Sequence, residues 1–387
     1  MPDASPTKWH LAHTTWFFET FLLTEHLPGY TPFDTDFAYL FNSYYEAVGP
    51  RHARPARGLI TRPSLQRVLD YRRHVDAAMA RLVTAAGAEA NERLAALITL
   101  GLNHEQQHQE LLLMDIKHAF SCNPLYPAYQ PVSPAALSSA APLRWIDVAG
   151  GVRAIGHDGD GFAFDNEGPR HEVLLQDFRI ASRLVTNGEY LDFMRDGGYA
   201  SPAFWFMDGI ETARREGWHA PFYWREIDGA WFEFTLSGLR PLDPGLPVGH
   251  VSYYEAAAYA AWAGKRLATE AEWECAAATL PGDIERGANL LDSGRLHPAA
   301  VKTGGNRPAQ MIGDLWEWTG SAYSNYPGFH VAAGAIGEYN GKFMANQIVL
   351  RGGCCVTPPG HIRITYRNFF YPHQRWMFSG IRLADDA

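Results

Sequence analysis

Two histidines one helical turn apart, His104 and His108, are the residues whose spacing points most directly to chemistry. They lie in Asn103-His104-Glu105-Gln106-Gln107-His108-Gln109-Glu110, inside a long helical pattern. An i, i+4 pair puts both imidazoles on one helix face, where they can share a metal ion. A chain with 16 histidines yields about one such pair by chance, so the pair alone is better explained as a polar helix face. The same residues spell His-Glu-x-x-His, the zinc-hydrolase pattern in which Glu105 would be the general base. The metzincin continuation of that pattern needs Gly at 111 and His at 114, and the chain has Leu111 and Met114. Upstream, Trp9-His10-Leu11-Ala12-His13-Thr14-Thr15-Trp16 carries two further histidines on the first helix. In a bundle either His10 or His13 can face the His104/His108 pair, since bundle cores build metal sites from facing helices. Three neutral imidazoles on one side of an octahedral ion leave up to three positions open. That suits non-haem iron(II), which must hold a substrate and dioxygen together. Glu110 falls on another side of the helix and reads as an outer partner, not a ligand.

The elements that must position these side chains are helical. Thr7 to Glu25 is one apolar-periodic segment, with Pro6 placed for its first turn. A loop rich in Pro, Gly and aromatics follows. Ser64, behind Pro63, is the expected N-cap of a helix carrying Val68, Leu69, Val75, Met79 and Leu82. Ala88 to Phe120 is the longest helical pattern, closed by Asn123-Pro124. Residues 122–142 turn Pro-, Ser- and Ala-rich and read as a linker. Beyond it glycines and tryptophan clusters replace long helical patterns. Short helices are expected at Asn187–Met194, Tyr253–Ala263 and Thr269–Ala277, the last with a capping-box spacing of Thr269 and Glu272. The expected organisation is α+β and multidomain: a helical bundle over 1–121, a linker over 122–142 and an irregular α+β domain over 143–387.

Composition narrows the function. The chain has 387 residues, 47% hydrophobic and 19% charged, with 33 basic and 42 acidic residues for a net charge of −9. So acidic a chain is a poor general nucleic-acid binder. No apolar run approaches the roughly 20 residues that span a bilayer, so no membrane partner is expected. Residues 1–6 show no secretory pattern. Four cysteines, Cys122, Cys275, Cys354 and Cys355, are too few for a disulfide scaffold, and a reducing cytoplasm is the expected setting.

Taken together, several segments are recognisable. They are Ser5-Pro6-Thr7-Lys8-Trp9-His10-Leu11-Ala12-His13, the His104/His108/Glu110 motif, Gly264 to Glu274 (Gly-Lys-Arg-Leu-Ala-Thr-Glu-Ala-Glu-Trp-Glu), Gly313-Asp314-Leu315-Trp316-Glu317-Trp318-Thr319 and Leu350-Arg351-Gly352-Gly353. Over nearly the whole chain the sequence resembles the EgtB-type sulfoxide synthases of ergothioneine biosynthesis. The resemblance implies a DinB-like bundle joined to a formylglycine-generating-enzyme-like, C-type-lectin-like domain. It implies Fe(2+) as cofactor, O2 as co-substrate, and hercynine (Nα-trimethylhistidine) with cysteine or γ-glutamylcysteine as small-molecule substrates. It assigns His13, His104 and His108 as iron ligands and leaves His10 a bystander. It places Gln107 at the hercynine imidazole and Asn368, Phe369 and Phe370 at the betaine end, where aromatic faces and oxygen dipoles suit a quaternary ammonium. Tyr44 and Tyr45 match the paired catalytic tyrosines of one branch. Pro50-Arg51-His52-Ala53-Arg54 resembles the segment whose arginines, here Arg51 and Arg54, clamp the thiol's carboxylates through their planar forks.

Two departures matter. Some members carry Trp-Asp where this chain has Phe369-Phe370, which leans toward free cysteine. Cys354 and Cys355 are adjacent, unlike the spaced reactive pair of formylglycine-generating enzymes, so sulfatase activation is not expected. Related selenoneine- or ovothiol-type synthesis on the same scaffold, a zinc hydrolase, and a non-catalytic lectin-like module are the competing readings. Members of the family usually have another helix before the Ser-Pro-Thr-Lys-Trp-His segment. The expectation is therefore that Met1 is an internal or late start, with about 30–50 residues preceding it in the native chain.

Overall fold

A computed structural model describes the chain except residues 86–87, 133–135, 302–305, 332–336 and 338–339. It divides into two compact units that are not contiguous in sequence. The first comprises Met1–His118, Asp160–Asp165 and His330–Lys342; the second comprises Ala119–Gly159, Asn166–Phe329 and Phe343–Ala387.

The first unit is built on α1 (Thr7–Phe18), α2 (Leu65–Ala85) and α3 (Ala88–Ser121), the last of which runs past the unit's end. Pro6 stands at the N-cap of α1, and its carbonyl accepts the amides of Trp9 (2.8 Å) and His10 (3.3 Å). Trp9, His10, Ala12, His13, Thr14, Thr15, Trp16 and Phe17 are all buried, so α1 is covered nearly all round and forms the unit's core. A π-helical turn, Glu19–Leu23, continues it. There the buried Glu19 carboxylate accepts the phenols of Tyr30 and Tyr71, each at 2.6 Å, and the Phe33 amide at 3.1 Å. On α2 the buried stripe is Val68, Tyr71, Val75, Ala78 and Leu82, spaced alternately three and four residues apart. Leu69, expected on that stripe, is exposed instead, because Tyr71 and Ala78 hold the face that meets α1. On α3, a Cβ at Gly101 would lie 2.8 Å from the Phe18 ring and 3.1 Å from the Phe17 ring. The absent side chain lets α3 approach α1 closely, one turn before His104.

The second unit is a set of small sheets. One orders β1 (Trp145–Val148), β4 (Phe178–Ala181), β13 (Leu383–Asp386) and β8 (Arg266–Leu267). Another orders β11 (Asn368–Phe370), β10 (Ile348–Arg351), β9 (Trp316–Ala322) and β12 (Ser379–Gly380), antiparallel except for the β9–β12 pair. A hairpin of β2 (Gly151–Ile155) with β3 (His171–Leu175) and a meander of β5 (Trp224–Ile227), β6 (Ala230–Thr235) and β7 (Gly238–Pro241) complete it. Four helices pack with these: α4 (Asn187–Arg195), α5 (Met207–Arg215), α6 (Tyr253–Trp262) and α7 (Glu270–Ala277). The Thr269/Glu272 capping box forms, and Thr186/Glu189 and Ser252/Glu255 make two more. Within the Pro-rich stretch, the Tyr129 amide bonds to Leu236 O, Ser138 to the Asp243 carboxylate and Ala141 to Val301 O, so these residues lie along the second unit. Residues 133–135 of that expected linker are outside the described residues.

The recognisable motifs of this unit hold its core together. The Glu317 carboxylate, fully buried, receives Arg382 at 2.7 Å and the Trp273 indole at 2.7 Å. Glu270 lies between the buried guanidinium groups of Arg351 and Arg367. Such pairs satisfy charges that could not stand buried alone. At Gly352, with φ +98°, a Cβ would sit 2.3 Å from Met311 O, so only glycine fits. Cys354 and Cys355 are both buried and are not in a disulfide.

Candidate metal centre

His10 and His13 descend from α1, and His104 and His108 from α3. The ring nitrogens of His13, His104 and His108 lie within 4.8 Å of one another, a spacing at which one ion can engage all three. The rings meet nearly edge to face, with centroids 5.0 Å apart for His13/His104, 4.8 Å for His13/His108 and 4.7 Å for His104/His108. His13 is fully buried and His104 nearly so. His108 retains a partly accessible edge, although its ligand-bearing side shares the buried pocket. Aromatic rings wall the site: Trp9 stacks on His13 at 4.6 Å, Trp16 on its other side at 5.5 Å, and Phe17 lies 4.9 Å from His104.

Electrostatics here favour neutral imidazoles. Burial pushes His13 and His108 well below the ordinary histidine value and His104 down to about 3. For His13 and His108 the neighbouring imidazoles and the Arg57 guanidinium add to the effect. Neutral imidazole is the form that binds metal. His13 Nδ1 donates to the Phe41 carbonyl at 2.6 Å. That leaves Nε2 with its lone pair inward, and this buried atom has no hydrogen-bond partner. Three buried neutral nitrogen donors, one of them orphaned, fit a divalent transition metal.

His10 is outside this triad, as the resemblance implied. Its Nδ1 faces His108 Nδ1 at 2.8 Å, and its Nε2 faces the Asp115 carboxylate at 3.0 Å. Glu110 is buried on α3. Glu105 is turned away from a base's role: Arg72 on α2 clamps it, with one terminal nitrogen 2.8 and 3.0 Å from its two oxygens.

The remaining expected residues divide between the units. Tyr44 and Tyr45 stack at 4.6 Å and share a hydrogen bond. Tyr45, fully buried, packs on Trp16 (5.6 Å) and Phe21 (5.0 Å), so it is linked through Trp16 to His13. Burial raises the Tyr44 phenol well above its usual value, and Lys342 lies 5.6 Å from its ring. Gln107 is partly accessible on α3. Arg51 is exposed, paired with Glu46 at 2.6 Å and bonded to Ser43 O at 3.1 Å; Arg54 is exposed and bonded to Asp3 O at 2.7 Å. Asn368, Phe369 and Phe370 form β11 in the second unit, where Phe369 stacks on Tyr323 at 4.1 Å.

One residue that the sequence analysis does not single out is Arg57. Arg57 is 3% exposed. Its guanidinium lies 3.5 Å from the centre of the Trp9 ring and donates only to the hydroxyls of Ser5 (3.2 Å) and Ser43 (3.0 Å), while Nε has no partner. No carboxylate among the described residues pairs with it. Burial, with Arg54 and Arg51 nearby and only partly opposed by the Asp115 charge, pushes its pKa down to about 9. Its signal was the Arg51, Arg54, Arg57 spacing of three, which enters a 3₁₀ turn at Arg54–Leu59.

Fold and site together define a protein with a buried three-histidine metal centre on a helical unit, joined to a β-rich unit of the formylglycine-generating type. Residues 135–303 and 308–387 match the Sulfatase-modifying factor enzyme 1-like domain. The chain is 34% identical to a hercynine oxygenase of Mycobacterium tuberculosis over all of this chain and 92% of that protein. It is 33% identical, with the same coverage, to that of Mycolicibacterium smegmatis. A formylglycine-generating enzyme of Streptomyces coelicolor is 29% identical over 66% of this chain and 95% of its own length. The chain belongs to the hercynine oxygenase family.

Proposed function

We propose that this protein is a non-haem iron(II), O2-dependent sulfoxide synthase of ergothioneine biosynthesis. It joins the sulfur of cysteine, or of γ-glutamylcysteine, to the imidazole of hercynine. The observation that carries the reading is the buried neutral triad of His13, His104 and His108 in a chain matching the family along its whole length. The overall change balances as one thiol S–H, one imidazole C–H and O2 giving one C–S bond, one S=O and one water. When bound, iron(II) supplies electrons to dioxygen and open positions for the reactants.

The chain's own groups do the rest. Trp9, Trp16 and Phe17 wall the histidine triad with apolar surface. Burial keeps the Tyr44 phenol protonated, so the Tyr44–Tyr45 pair holds a proton available for delivery, as in the branch with paired tyrosines. Gln107 is the partner for the hercynine imidazole, and Asn368, Phe369 and Phe370 for its trimethylammonium end. Arg51 and Arg54 remain candidates for the thiol's carboxylates, and Arg57 joins them as the buried cation with no acid of its own. No helix among the described residues is long and apolar enough to cross a membrane, and a cytoplasmic setting fits four cysteines that form no disulfide.

A substrate panel tests the reading. Protein reconstituted anaerobically with iron(II) is given hercynine, O2 and either thiol, and the sulfoxide is sought by mass spectrometry. No product with either thiol, while iron is bound, overturns it. Glu105→Gln separates it from zinc hydrolysis. Turnover is expected to stay within about threefold of wild type, with a stability cost of at most about 1 kcal/mol, since the Arg72 pair is partly exposed. The hydrolase reading requires that variant to be dead.

A further inference from the structure

We propose that His10 and Asp115 are positioning residues that fix the proton of His108 and so aim its metal-binding lone pair; the proposal rests on the metal reading above. The chain of contacts is continuous. Ser5 N–H donates to Asp115 Oδ2 at 2.8 Å, Asp115 Oδ2 meets His10 Nε2 at 3.0 Å, and His10 Nδ1 meets His108 Nδ1 at 2.8 Å. The three side chains come from two helices, with His10 three residues before His13 on α1 and Asp115 seven residues after His108 on α3. His10 and Asp115 are both buried.

The direction of every hydrogen bond follows from one end. An ionised carboxylate only accepts, so His10 carries its proton on Nε2. A neutral imidazole with a proton there has its lone pair on Nδ1. Two facing ring nitrogens at 2.8 Å need one proton between them, so His108 donates from Nδ1. Its remaining lone pair is then on Nε2. The Phe41 carbonyl does the same for His13 in a single step. Metal-binding histidines commonly hand their second nitrogen to a carboxylate or a carbonyl. Here the carboxylate acts through an intervening histidine, and its charge polarises both rings toward the metal.

The relay makes a prediction that packing alone does not. The Asp115 oxygen that meets His10 also accepts the Ser5 N–H, so an Asn would keep its carbonyl there; Asp115→Leu removes the acceptor, and His10 Nε2, facing apolar surface, no longer holds its proton. His10 then takes its proton on Nδ1 and donates it to His108, whose Nε2 is left protonated and unable to bind metal. The reverse holds for His10→Gln, whose carbonyl can accept from His108 while its NH2 donates to Asp115.

The test is cobalt(II) binding by the full chain without substrates, followed by chelator competition and by the visible d–d spectrum. Near-UV circular dichroism of the metal-free proteins controls for folding. Asp115→Leu and His10→Leu are expected to lose about 10–100-fold in affinity with altered spectra, and His10→Gln to stay within about threefold of wild type. Wild-type affinity and spectrum in Asp115→Leu or His10→Leu overturn the relay. A loss in His10→Gln as severe as in His10→Leu overturns it as well, by making His10 itself a ligand. Where His10→Leu fails to fold, Asp115→Leu decides alone. Failure of the wild-type protein to bind cobalt at His13, His104 and His108 is a different result and strikes the metal reading itself.

Discussion

His13→Ala is expected to strip the protein of its metal and lower sulfoxide formation on the order of 10³-fold or more, since outer partners of a ligand are alone worth 10–100-fold. His13 is the only member of the triad on α1; His104 and His108 both belong to α3. Without it the two remaining donors share one helix face and nothing closes the opposite side. Metal content by elemental analysis and turnover under iron(II) check this, with His13→Leu as a better-packed companion between Trp9 and Trp16. The same substitution has a signature in pH. His13 has its folded pKa depressed below the usual 6.5, so as pH falls below that value the unfolded chain takes up a proton that the folded chain refuses. Stability is therefore full above about pH 6.5 and falls as the pH drops toward the folded pKa. The metal-free variant lacks that linkage. Its thermal midpoint is expected to fall less than the wild-type midpoint between pH 7 and pH 5. Equal slopes would mean that His13 does not stay neutral in the folded protein.

Arg57→Met should cost at least about 30-fold in kcat/KM for the thiol, carried by KM, while leaving stability unchanged or raised. A buried cation with no carboxylate bonded to it is a liability to the fold, because the Asp115 charge offsets its desolvation only in part. An arginine stays protonated under such pressure. The Trp9 face and two serine hydroxyls compensate it only in part. Such a group is stabilised when a carboxylate arrives, and a thiol amino acid brings one. Methionine fills a similar volume and removes the charge. Comparing cysteine with cysteamine, which has no carboxylate, isolates the role: the penalty should shrink toward unity with cysteamine. An equal penalty with both thiols, or none with cysteine, would remove Arg57 from substrate binding.

What the sequence could reveal tracks how local the determinant is. The His104/His108 pair and the Thr269/Glu272 cap are set by spacing within one helix, and both are present as read. The choice between His10 and His13 was not legible from spacing, since each lies on α1 and their difference is which nitrogen faces which neighbour. Periodicity of α1 itself is blurred because the helix is buried on all sides. Leu69 was misplaced for the opposite reason: Tyr71 and Ala78 complete the stripe, and neither stands out as apolar in sequence. The burial of Arg57 depends on Trp9, about fifty residues away, so no local pattern separates it from the exposed Arg51 and Arg54. The helix α5, Met207–Arg215, was missed because charged residues crowd its sequence and only Gly209, Ile210, Thr212 and Ala213 are buried. The assignment of Asp160–Asp165 and His330–Lys342 to the first unit is likewise a matter of tertiary packing.

The most direct test of the central claim is the fate of dioxygen. Iron(II)-loaded protein is mixed with hercynine, cysteine and ¹⁸O2, and the product is weighed by mass spectrometry beside a His104→Ala control. The expected product is a cysteine–hercynine sulfoxide carrying one ¹⁸O, formed by the wild-type protein and lost in the control. An unlabelled product, or the same yield without the histidine or the iron, would contradict the central claim.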